Sequence, residues 1–171
     1  MTNSEYQVEA ARTMPTYNSI EARTHALLGL VAEAAEVYDA MQDSGAAAVR
    51  HTVLECGDVC WMIAELCTAE GLDLFSVVRA TTPAKMGDWL EIMGHVAKLC
   101  GIYQKAYQGH TIDYVQVGDA VRTIWADVAG IAECLGATMG EVLDANIRKL
   151  RARYPEGFSA ENSMHRKAGD L

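Results

Sequence analysis

Two stretches decide how this chain reads: Leu28-Gly-Leu-Val-Ala-Glu-Ala-Ala-Glu-Val-Tyr38 and Val53-Leu-Glu-Cys-Gly-Asp-Val-Cys-Trp-Met62. Apolar residues recur at intervals of three and four, the period of a helix with one face in a core. Each stretch carries two acids three apart, Glu33 with Glu36 and Glu55 with Asp58. Residues so spaced lie about one turn apart on one helix face. Packed side by side, the two helices point four carboxylates into one small volume. Four anions so close repel, and burying them is costly unless cations neutralise them. A hard divalent ion prefers oxygen ligands, so the pattern points to Mg²⁺ and phosphate chemistry.

A plainer reading competes at each position. A lone Glu-x-x-Glu is usually a solvated helix face, and Glu36 could share a polar stripe with Asp39 and Asp43. Glu33 sits between Leu30 and Val37, and Glu55 and Asp58 between Leu54 and Val59, so some of these acids lie beside the core. Two such pairs on consecutive helices favour the metal site.

The rest of the chain extends the helical pattern. Proline occurs only at 15, 83 and 155, where the periodicity stops. Helices are predicted at about 4–13, 20–43, 47–71, 73–81, 86–108, 111–136 and 139–152, giving an all-α fold. Gly71 and Gly136 read as helix ends, with Asp73 and Thr138 capping the next elements. At an offset of 65 residues, Gly29-Leu-Val-Ala aligns with Gly94-His-Val-Ala and Gly71 with Gly136. The chain thus reads as two repeated helical hairpins fused in one compact unit. Residues 1–80 form the acid-bearing half. Residues 81–171 form a second repeat with a basic tail. At the same offset the four acids become Lys98, Gly101, Ala120 and Thr123, so the second copy is expected to act as scaffold.

A net charge of −9 over 171 residues, 22% of them charged, argues against a nucleic-acid polymer as partner. No apolar run approaches the roughly 20 residues needed to cross a bilayer, so no membrane partner is expected. The amino terminus lacks a basic, apolar signal pattern. Five cysteines without a CxxC pair read as small buried hydrophobes in a reducing cytoplasm. Basic residues concentrate late, at Arg148, Lys149, Arg151, Arg153, Arg166 and Lys167. Asn146, Lys149 and Arg153 share a helix face and would suit a polyphosphate, although cations in a last helical turn are favourable anyway.

Glu33-Ala-Ala-Glu36, Glu55-Cys-Gly-Asp58 and the tail Asn146-Ile-Arg-Lys-Leu-Arg-Ala-Arg-Tyr-Pro-Glu-Gly-Phe158 together resemble the MazG-like nucleotide pyrophosphohydrolases. These belong to the all-α NTP pyrophosphatase superfamily. The resemblance covers residues 4–79 and 139–166. It implies a helical bundle of the MazG-like type that hydrolyses a nucleoside triphosphate to a monophosphate and pyrophosphate, water attacking the α-phosphorus. By the family pattern Glu33, Glu36, Glu55 and Asp58 would ligate Mg²⁺, with Mn²⁺ as a substitute, and one acid would orient or deprotonate the water. Asn146, Lys149 and Arg153 would hold the phosphates, Tyr154 would lie near the nucleotide, and Trp61 would stack on the base or pack in the core. A homodimer of such fused chains is expected.

Two departures stand out. The fuller family motif is Glu-Glu-x-x-Glu, and position 32 here is Ala. The Asn-x-x-Lys tail follows the second copy, with Thr81 and Ala84 at the matching places in the first. The tail must therefore return over the first copy's acids, from the same chain or from a neighbour. A non-catalytic nucleotide binder, or a helical interaction protein descended from such an enzyme, is the alternative reading.

Overall fold

Six of the helix starts described in this chain are capped by short polar side chains. Thr2, Asn18, Asp73, Asp113, Thr138 and Ser159 each accept a backbone N–H of the following turn. This satisfies donors that the first turn leaves without a partner. The computed structural model describes residues 1–15, 17–85 and 90–165. Among these the chain is all-α, with eight helices and no strand: α1 (Asn3–Ala11), α2 (Ser19–Ala40), α3 (Ala46–Ala69), α4 (Leu74–Val78), α5 (Glu91–Tyr107), α6 (Tyr114–Cys134), α7 (Met139–Arg153) and α8 (Ala160–Met164).

Several ends differ from the predicted ones by two or three residues, and at one of them a side chain gives the reason. The sixth helix starts at Tyr114 rather than 111, because Asp113 accepts from Val115 and Gln116 and so becomes its cap. The fourth stops at Val78 rather than 81, with a turn at 79–80 leading into the irregular segment 81–85 that holds Pro83. The predicted start of α5 at 86 lies outside the described residues, as do Arg166 and Lys167. Helix α8 was not anticipated; Ser159 caps it through Asn162.

Helix α3 is the axis of the bundle. From Glu55 to Cys67 only Asp58 and Trp61 escape full burial, because α1, α2, α6 and α7 all pack on it. The two hairpins, α2–α3 and α5–α6, share one core in which Leu30, Ile63, Leu66, Leu99 and Ile124 are fully buried. Helix α5 lies against α2, and α6 against α3. Matching ends recur at the 65-residue offset: Ala69 with Cys134, Leu74 with Met139, and Gly71 with Gly136, whose φ values are 67° and 75°. That left-handed backbone is one glycine adopts without steric cost. The helix after each hairpin crosses onto the other one, α4 packing on α6 and α7 on α3.

The α3–α7 crossing depends on Gly57. A Cβ built there would stand 2.7 Å from the Asn146 Cβ, closer than packed atoms allow. Gly57→Ala is expected to lower unfolding free energy by about 1–3 kcal/mol through overpacking. Gly118 on α6 has open space around its Cβ position. Gly118→Ala is expected to be neutral or to stabilise by about 0.5–1 kcal/mol. Urea unfolding of both variants checks the contrast.

Candidate functional site

Three helices converge on one cavity of about 340 Å³. Helix α2 supplies Glu33 and Glu36, α3 supplies Glu55, Asp58 and Trp61, and α7 supplies Lys149 and Arg153. Glu33, Glu55 and Asp58 each bring a ligand oxygen within 4.8 Å of the others. Glu36 lines the same cavity from an exposed position and stands outside that close triplet. The tail helix reaches the acids within one chain: Lys149 Nζ is ion-paired with Asp58 Oδ2.

Asn146, expected on the phosphates, has a different place. It is fully buried, its Nδ2 donating to Asp58 Oδ1 at 2.8 Å while its Oδ1 accepts from the Tyr6 hydroxyl at 2.8 Å. Asn146 thus holds Asp58 and is not among the residues that line the cavity. Tyr154 lines the cavity but is 6% exposed, tilted against Phe158 with ring centroids 5.5 Å apart. Trp61 also lines it, half-buried, its Nε1 donating to Thr13 Oγ1 at 3.1 Å.

Burial and mutual repulsion show in the acids' proton affinities. Glu33 is pushed up to about 8, first by burial and then by the charges of Asp58, Glu36 and Glu55. Glu55 is raised by burial and by Asp58. Asp58 is raised by burial, which outweighs the opposing pull of Lys149 and Arg153. An all-oxygen, desolvated and mutually repelling donor set is what a hard divalent cation relieves. Glu33, Glu55 and Asp58 are the residues able to hold one, with Glu36 within reach of the same space.

Several residues of the site were not singled out from sequence. Tyr6 ties α1 to Asn146. His51 Nε2 pairs with Glu55 Oε1 at 2.9 Å, one turn away on α3. His25 lines the cavity, and its Nδ1 is 2.7 Å from Glu65 Oε2. A signal for the last pair existed. Glu65 lies two turns beyond Asp58 on α3, and His25 three turns before Glu36 on α2, so both continue the acid-bearing stripes.

Compared with known proteins, the chain matches no family model, no curated protein and no solved structure. The site therefore rests on its own geometry.

The raised acids set a pH dependence. A carboxyl whose proton affinity is higher in the folded state stabilises the fold at low pH and loses that contribution as pH climbs through its folded value. For Glu33 the window runs from 4.5 to about 8, and Glu55 and Asp58 shift in the same direction. The melting temperature of metal-free protein is expected to fall between about pH 5 and about pH 8, with Glu33→Gln flattening the fall. Added Mg²⁺ should raise the melting temperature more at the upper end of that range and release protons on binding. Scanning calorimetry with and without Mg²⁺ measures both effects.

Proposed function

We propose that this chain is a Mg²⁺-dependent nucleoside triphosphate pyrophosphohydrolase, converting an NTP or dNTP and water to a monophosphate and pyrophosphate. The observation that carries the reading is the meeting of Glu33, Glu55 and Asp58 within 4.8 Å in a cavity also lined by Lys149 and Arg153. Acids alone would repel a triphosphate, and cations alone would bind one without activating water. Their adjacency suits in-line displacement at phosphorus, which needs positioning and charge neutralisation more than covalent chemistry.

Bound Mg²⁺ would neutralise charge on the phosphates and make water nucleophilic near neutral pH, with Mn²⁺ able to substitute. The protein's own contribution is orientation. Asn146 and Tyr6 fix Asp58, while Lys149 and Arg153 face the phosphate oxygens. One of the acids takes the proton of the attacking water. Ala32, on the exposed side of α2, leaves Glu33 and Glu36 as the acids of that helix nearest the cavity. The reading includes a homodimer, with Leu28 and Val31 exposed one turn apart on α2 as an apolar surface for it. No described helix is long and apolar enough to cross a membrane.

A screen of the common NTPs and dNTPs for pyrophosphate release, with Mg²⁺ and with Mn²⁺, tests the reading. Glu55→Gln and Asp58→Asn are each expected to abolish release while circular dichroism stays helical. Retained turnover in both variants overturns the metal-site argument. Tight nucleotide binding with no release on any substrate would instead identify a non-catalytic nucleotide-binding protein.

A further inference from the structure

Away from the acid triplet, the cavity wall changes character. Tyr17, His25 and Trp61 line it, the His25 ring 5.5 Å from Tyr17 and edge-on to Trp61 at 6.2 Å. Behind His25 lies Glu65, 2% exposed, whose Oε2 is taken by His25 Nδ1. Its other oxygen, Oε1, is buried and has no hydrogen-bond partner. Glu65 lines not this cavity but a second one of about 400 Å³, which shares Pro15 and Tyr17 with the first. Buried carboxylate oxygens are normally satisfied, so an orphan on the wall of this adjoining cavity marks a place where a donor is missing.

We propose that the base-binding end of the cleft runs past Tyr17, His25 and Trp61 into the adjoining cavity that Glu65 lines, and that Glu65 Oε1 there selects nucleobases carrying an exocyclic amine, as in cytosine and adenine. The inference rests on the nucleotide reading above and adds its base preference. Flat rings of any base can stack between aromatic side chains, so stacking gives affinity without choice. Choice comes from the edge. An ionised carboxylate only accepts hydrogen bonds, so its free oxygen calls for an N–H. An exocyclic amine offers two at the periphery of the ring. Uracil and thymine offer their N3–H between two keto oxygens, one of which would then face the carboxylate. Glu65 also favours the protonated imidazole of His25, in which both nitrogens donate. A site with a buried acceptor rejects analogues that leave it unpaired far more strongly than an apolar pocket could.

The test measures nucleoside monophosphate binding by calorimetry in Mg²⁺, with pyrophosphate release from the matching triphosphates in parallel. Wild-type protein is expected to bind CMP or AMP at least about 10-fold more tightly than UMP. Glu65→Gln, which keeps the shape but turns part of the acceptor into a donor, should bring that ratio to about 3-fold or less while Mg²⁺ affinity holds. Tyr17→Ala, at a partly exposed position, should weaken all the nucleotides together and leave the ratio intact. A wild-type ratio near one, or a ratio that Glu65→Gln does not change, overturns the inference and leaves Glu65 a structural partner of His25 only. The two readings fail separately. A ranking that follows Glu65 without pyrophosphate release defeats hydrolysis alone, whereas release indifferent to Glu65→Gln defeats base selection alone.

Discussion

The structure depends on one part-buried carboxylate, Asp58, and on the groups that hold it. Removing a carboxylate from water is unfavourable unless its lone pairs are matched and its charge is countered. Here Asn146 Nδ2 donates to one oxygen and Lys149 Nζ pairs with the other, both from α7. Tyr6 closes the set from α1 by donating to Asn146. Three helices distant in sequence are therefore locked by one charge and its hydrogen bonds. The glycine preceding Asp58 lets α7 approach closely enough to make them. Assembling the cavity and assembling the bundle are the same event.

That arrangement leaves an unequal charge balance. Four acids and two cations line the cavity, so an ionised site is negative and hostile to a triphosphate. Proton uptake is one relief, and the raised affinity of Glu33 expresses it. A divalent cation is the other, and it alone also offers positive charge to phosphate oxygens. The same burial that makes the empty acids unfavourable makes the cation's attraction stronger, because charges act over a lower local dielectric.

Legibility from sequence followed the reach of local rules. Helix type and the seven longer or capped segments up to α7 were readable because apolar spacing and caps act within a few residues; Asp73 and Thr138 cap where their positions suggested. Glu33, Glu55, Asp58 and Lys149 were readable because acids and cations embedded in oily stretches conflict with core packing. What escaped depends on contacts across the fold. Asn146 looked like a ligand by its spacing from Lys149, yet helix α7 turns it inward onto Tyr6, 140 residues away in sequence. Glu65 continues the stripe of Glu55 and Asp58, but α3 is buried almost all round, so that spacing has little periodic contrast to stand against, and its orphan oxygen is visible only in the folded chain.

The position of the tail was the sequence feature hardest to reconcile with a working site, and the crossing of helices removes the difficulty. Helix α4 follows the first hairpin but packs on α6 of the second; α7 follows the second and packs on α3 of the first. Each hairpin is thus completed by the helix of the other, which supports reading the chain as two fused copies that exchange their last elements. Lys149, although it follows the second hairpin in sequence, is thereby brought to Asp58 of the first. The reciprocal crossing carries Thr81 and Ala84 at the tail positions and Ala120 and Thr123 at those of the α3 acids. At those matching positions it has neither the carboxylates nor the tail cation. The second crossing keeps the packing, with Arg122 Nε donating to the Val77 carbonyl at 3.0 Å as a link between the two elements. The buried acid of that half, Asp127 on α6, is paired with His95 Nδ1 of α5 at 2.6 Å, so the half can stay closed over α2 and α3 as the support against which the first half's repelling carboxylates are held together.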